Sequence, residues 1–201
     1  MDITATIRRI VYALYCRLRD LWSHTNTCGM VYEPYNFDGS ERLWYAPSGW
    51  STLKRAHEWL PFSQSDVFVD FGCGKGRIIY CAAKFPLKKI IGIELSPKLL
   101  DVAKNNIAKN LRYLICKNIE FVLSDVCDLE IPKDMTVAYM YNAFNGSVFK
   151  KVMENIRASY IQSSRKIRLI YLNPRMHEYL MEYDWLRLVV KDGKMNIYET
   201  L

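Results

Sequence analysis

The sequence predicts an α/β protein: a doubly wound, mostly parallel sheet covered by helices on both faces, closed by a C-terminal antiparallel hairpin and preceded by N-terminal helices. Two observations carry this. From residue 67 onward, short β-branched runs alternate with stretches of helical period. The last two runs are separated by a short stretch containing Asp-Gly, a hairpin turn signal. At 201 residues, half of them hydrophobic, the chain suits one domain with a substantial core.

The elements follow in order. Ile3, Ile7, Ile10, Leu14, Leu18 and Leu21 recur at helical spacing, so residues 3–22 form a helix with its arginines off that stripe. Its expected role is to pack on its own domain; the alternative is a membrane-surface or partner helix. Residues 23–47 are loop-like, and with the first helix they make an N-terminal extension, 1–47, to a domain spanning 48–201. A second helix covers about 51–60. Strands are expected at 67–71, 89–94, 119–123, 136–141 and 167–172. Helices are expected at 75–84, 97–111 (N-capped by Ser96) and 147–160, with a short one after Pro174. Residues 186–191 and 195–200 form the hairpin.

Several function classes lose ground on composition. The six cysteines show no C-x-x-C pair, and the three histidines stand apart, so neither a disulfide framework nor a metal site is expected. No apolar run reaches the length of a membrane span, and Asp2 with Arg8 and Arg9 disagrees with a secretory signal, so a cytoplasmic protein is expected. The net charge is +7, and residues 75–117 hold ten Lys/Arg against two acids. That segment is either a patch for an acidic partner or a solvated helix face.

The most informative stretch is "VFVDFGCGKGR", residues 67–77. Glycines between a strand and a helix permit unusual backbone angles and let a ligand reach the main chain, where a helix start favours negative charge. The dinucleotide pattern G-x-G-x-x-G needs glycine where Arg77 stands, and a Walker loop needs other spacing. What remains is Asp70 followed by Gly72, Cys73, Gly74 and Gly76. Glu94 ends the next strand, where an acid can accept both hydroxyls of a ribose, and Asp125 follows the third.

These three stretches, "VDFGCGKGR", "IIGIELS" and "FVLSDVCDL", resemble in order and spacing the motifs of class I S-adenosylmethionine-dependent methyltransferases, which have a Rossmann-like fold. The resemblance covers about residues 48–175, and among close resemblances it looks like a group of small bacterial methyltransferases. It implies S-adenosyl-L-methionine as cofactor and S-adenosyl-L-homocysteine as product. Asp70 and the loop Gly72, Cys73, Gly74, Gly76 would hold the methionine part, with loop N–H groups on its carboxylate and Asp70 on its ammonium. Glu94, with Leu95 beside it, would take the ribose, and Asp125 with Val126 the adenine edge.

The fourth strand ends in "MYNAF", which is similar to the N-P-P-Y loop of amino-directed methyltransferases but lacks its prolines. By that resemblance Asn142 and Phe144 face the transferred methyl, and Asn142 also borders the cofactor. "YAPS", residues 45–48, is distantly similar to a Y-x-P-T-P stretch of protein-lysine methyltransferases, which adds Tyr45 to the candidates. The expected function is therefore methylation of an amine nitrogen, with protein lysine the leading acceptor. A small molecule, saccharide or RNA acceptor is the alternative, and a non-catalytic S-adenosylmethionine-binding scaffold is the reading from another class.

Overall fold

A computed structural model describes residues 3–32 and 41–201. Part of the long loop expected over 23–47 therefore lies outside the described residues. The chain runs α1 (Ile3–Trp22), α2 (Thr52–Trp59), β1 (Val67–Phe71), α3 (Arg77–Ala82), β2 (Lys89–Glu94), α4 (Pro97–Asn110), β3 (Ile119–Leu123) and β4 (Val137–Tyr141). It continues with α5 (Gly146–Gln162), β5 (Arg168–Leu172), α6 (His177–Met181), β6 (Leu186–Asp192) and β7 (Met195–Thr200). The seven strands form one sheet in the order β3-β2-β1-β4-β5-β7-β6. The first five are parallel, and β7 runs antiparallel to both β5 and β6. The expected mostly parallel sheet with a terminal hairpin is thus present, and its strand order reverses between β1 and β4.

β1 is buried along its whole length, as a strand covered on both faces must be. Its side chains alternate between two cores. Phe68 joins Leu53, Ile79 and Leu100 from α2, α3 and α4. Val67, Val69 and Phe71 join Phe149, Val152 and Ile156 from α5. Ser96 caps α4 as expected, its hydroxyl accepting the Leu99 N–H at 3.3 Å, with Pro97 in the first turn. α3 is shorter than expected, because Gly76 sits in the left-handed region (φ +79°) and holds Lys75 out of the helix.

The largest departure concerns α1. It does pack on the domain, but with the face opposite its apolar stripe. Cys16 and Asp20 are buried, whereas Ile7, Ile10, Leu14, Leu18 and Leu21 are exposed. The reason is polar. The Asp20 carboxylate accepts the N–H groups of Thr27 and Cys28, both at 2.7 Å, and the Thr27 hydroxyl at 2.6 Å. Thr27 Oγ1 in turn accepts from Arg77 Nε at 2.7 Å. Arg77 Nη1 donates to the Ser48 carbonyl at 2.9 Å, and its guanidinium lies 4.8 Å from the Trp50 ring centroid. Arg77 is only 2% exposed. A cation buried this deeply needs acceptors on every side, and α1 supplies one of them by turning Asp20 inward. Arg77 therefore belongs to the interior and not to the basic surface of residues 75–117.

Candidate active site

The site lies at the carboxyl ends of β1, β2 and β4, at the point where the strand order reverses, the usual crevice of open α/β sheets. Asp70 is opposite Gly92 of β2 and Tyr139 of β4, and Glu94 is opposite Leu123 of β3. One cleft is lined by Asp70, Gly72, Cys73, Glu94, Leu95, Asp125 and Val126 together with Tyr45 and Phe144. Gly74, Gly76 and Asn142 are not part of its lining.

The glycine loop is tied inward. The N–H groups of Gly72 and Cys73 both donate to the Ile93 carbonyl, at 3.0 and 2.8 Å, and Gly76 N–H donates to the Cys73 carbonyl at 2.8 Å. Gly74 N–H donates to Glu94 at 2.8 Å. The other carboxylate oxygen of Glu94 accepts from Leu95 and Ser96, each at 2.9 Å. These four loop N–H groups thus all find acceptors within the protein. The close approach that demands glycine also comes from the chain itself. A Cβ on Gly74 would lie 2.2 Å from the Tyr45 ring, and one on Gly72 would lie 2.5 Å from the Ala143 Cβ. Both glycines have positive φ.

Residues 41–48 form a strap over the cleft. Leu43 N–H donates to the Ala143 carbonyl and Asn145 N–H to the Glu41 carbonyl, both at 2.8 Å. Arg42 pairs with Asp125. The Glu41 carboxylate accepts the Ser147 hydroxyl at 2.6 Å and the Val148 N–H at 3.1 Å at the start of α5. The hydroxyl bond from Ser147, with those from the helix backbone, holds Glu41 below the usual carboxylate range. The Tyr45 hydroxyl donates to the Thr27 carbonyl at 2.7 Å, so the ring and not the hydroxyl meets the glycine loop.

Burial dominates the proton equilibria. It pushes Asp70 well above the usual carboxylate range, and the neighbouring Glu94 adds to the shift. Burial likewise raises Cys73, with help from Asp70 and Glu94, so its thiol stays protonated. Burial raises Tyr139, whose hydroxyl lies 2.7 Å from that of Ser48. Asn142 sits at positive φ just after β4, and its Oδ1 is buried without a hydrogen-bond partner. Sequence reasoning missed Arg42, Tyr139 and Tyr141 as lining residues. Tyr139 and Tyr141 were readable as strand residues of alternating facing, whereas Arg42 carried no local signal.

The donor set fits S-adenosylmethionine in part. Asp70 suits an ammonium, and the Glu94 carboxylate suits hydroxyl donors. Asp125 suits an amino group only where Arg42 shares it. The raised Asp70 yields a prediction with two readouts. Because the folded protein holds this proton more tightly than the unfolded chain, its stabilising contribution is complete below about pH 3.9 and is lost as pH rises through the raised value. At neutral pH, Asp70→Asn is expected to raise the melting temperature of the cofactor-free protein by several degrees. The same change is expected to weaken S-adenosylhomocysteine binding by about tenfold or more. Calorimetry and thermal melts check both; an unchanged melting temperature would remove the buried charge as a source of instability.

A sheet of this order, with acids at three neighbouring strand ends and a glycine loop after the first, is the Rossmann-like arrangement that class I S-adenosylmethionine-dependent methyltransferases share. Residues 68–160 match the methyltransferase domain family. A protein-lysine N-methyltransferase of Saccharolobus islandicus is 42% identical over 67 residues, which cover 33% of this chain and 42% of that protein. A ribosomal protein L11 methyltransferase of Colwellia psychrerythraea is 37% identical over 71 residues, covering 35% of this chain and 20% of that one. The chain therefore spans less than half the length of these relatives. Among solved structures, an RNA methyltransferase from Salinibacter ruber in complex with S-adenosyl-L-homocysteine superposes with a TM-score of 0.55. It is 24% identical, and the match covers 77% of this chain and 92% of that one. A tRNA methyltransferase from Aquifex aeolicus gives 0.57 at 15% identity, over 81% and 72%. These likenesses carry the fold.

Proposed function

We propose that the protein transfers a methyl group from S-adenosylmethionine to an amine nitrogen, with a protein lysine as acceptor. One observation carries the proposal: Asp70, Glu94 and Asp125 converge on a single cleft whose walls include the aromatic Tyr45, Tyr141 and Phe144. The similarity to a protein-lysine N-methyltransferase supports lysine over other amines.

When bound, the cofactor supplies an electrophilic methyl group on a good leaving group, so the protein needs no nucleophile of its own. Its tasks are alignment and exclusion of water. In this reading Asp70 holds the cofactor's ammonium, Glu94 its ribose, and Asp125 with Val126 its adenine. The aromatic walls take an alkyl chain, and exclusion of water from the cleft disfavours its ammonium form, so that the amine enters neutral. In this reading Asn142, between the lining residues Tyr141 and Ala143, turns its buried, unpartnered Oδ1 into the cleft to accept a hydrogen bond from the incoming amine. Tyr139, held protonated by burial, is not a general base.

The test is transfer of a labelled methyl group to a cell lysate, followed by separation into protein, RNA and small molecules and by hydrolysis of the protein. Methyl-lysine is the expected product. Label confined to RNA or to small molecules would replace the acceptor, and no label despite cofactor binding would favour a non-catalytic scaffold. The division into an extension, 1–47, and a catalytic domain, 48–201, is part of this proposal, with the strap of residues 41–47 as the extension's contribution to the cleft.

A further inference from the structure

The face of α1 that points away from the domain is apolar along its length. Leu14, Leu18 and Leu21 are 54%, 64% and 72% exposed, with Ile7, Ile10 and Trp22 on the same face. At 100° per residue these six positions span about a third of the helix circumference, a continuous stripe. A stripe this size on the surface needs an occupant. None of the described residues covers it, because Asp20, Thr27 and Arg77 hold the opposite face inward.

Charge selects the occupant. Between Ile3 and Tyr32 the sole acid is Asp20, which is buried, while Arg8, Arg9, Arg17 and Arg19 all lie in the helix. Arg19 lies 5.4 Å from the centroid of the Trp22 ring and Lys84 lies 6.0 Å from it. Beyond Lys84 the pattern repeats. The N–H groups of Ile115 and Cys116 donate to the Ala83 carbonyl, which brings exposed Leu111, Tyr113 and Ile115 beside Lys84, with exposed Arg112 and Lys117 among them. Apolar side chains framed by cations match a surface that is greasy beneath and negative above. A second copy of this chain matches poorly, since two molecules of net charge +7 would bring their basic rims together. No helix among the described residues is long and apolar enough to cross a membrane, so the helix would lie in the interface.

We propose that the outward face of α1 docks the protein on an anionic lipid bilayer, with Leu14, Leu18 and Leu21 entering the acyl boundary and the exposed Arg17 and Lys84 facing the headgroups. The test is sedimentation of the full chain with sucrose-loaded vesicles, either phosphatidylcholine alone or equal parts phosphatidylcholine and phosphatidylglycerol. The expected result is binding to the anionic vesicles only, weakened by added salt. Leu14→Glu/Leu18→Glu should lower the bound fraction about tenfold or more. Arg17→Glu/Lys84→Glu, which keeps the apolar stripe, should lower it as well and flatten the salt dependence. Both variants change exposed positions, and S-adenosylhomocysteine affinity reports that the domain is folded. Absence of binding to anionic vesicles overturns the proposal. So does binding that neither variant reduces, or a vesicle-indifferent dimer that Leu14→Glu/Leu18→Glu disperses.

Discussion

Glu94→Ala is expected to weaken S-adenosylhomocysteine binding by about 2–4 kcal/mol, the cost of losing charge-assisted hydrogen bonds and leaving buried donors unpaired. The size follows from what the carboxylate does before any ligand arrives. It accepts the N–H groups of Gly74, Leu95 and Ser96 and so joins the glycine loop to the start of α4. Alanine removes the proposed ribose acceptor and also leaves three donors without their partner. Glu94→Gln should rescue little, because its amide nitrogen would face an N–H group where an oxygen is required. Isothermal calorimetry checks the affinity, and amide exchange at Gly74 checks the loop. An affinity within twofold of wild type would falsify the assignment of Glu94 to the cofactor.

Arg77→Met should destabilise the protein by about 3–5 kcal/mol, the usual cost of breaking a buried charged network by removing one member. Methionine can fill much of the space beside Trp50, so the loss comes from the polar partners. Asp20, which lies 3.8 Å from Arg77, would remain buried without its cation, and the Thr27 hydroxyl and Ser48 carbonyl would each lose a donor. Arg77→Lys should restore only part of the stability, since one ammonium cannot reproduce the spread of a guanidinium across three elements. Urea unfolding gives the magnitude. Trypsin should also cut α1 after Arg17 or Arg19 faster in the variant, because the helix loses its anchor. A change below about 1 kcal/mol would show that α1 is held by something else.

Period and punctuation in the chain were sufficient for most of the fold. β1, β2 and β3 begin and end where their β-branched runs do, and Ser96-Pro97 marks the start of α4, because these signals act over a few residues. Asp70, Glu94 and Asp125 were legible as a set for a similar reason. Once three parallel strands are neighbours, residues at their carboxyl ends must meet at one edge of the sheet. Tyr45 and Phe144 came from resemblance to other proteins, and both line the cleft.

Long-range pairing decided the rest. Nothing near Arg42 indicates that it meets Asp125, 83 positions away. Nothing near Gly74 indicates that its missing side chain makes room for Tyr45. Arg77 read as one more cation of a basic segment, yet it is buried among partners from residues 20–50, and that choice turns α1 over. The apolar period of α1 was correctly read as a helix, but period alone does not say which face turns inward. A buried guanidinium with its carboxylate outweighs a greasy stripe in setting that orientation, and only the folded chain brings the two into competition.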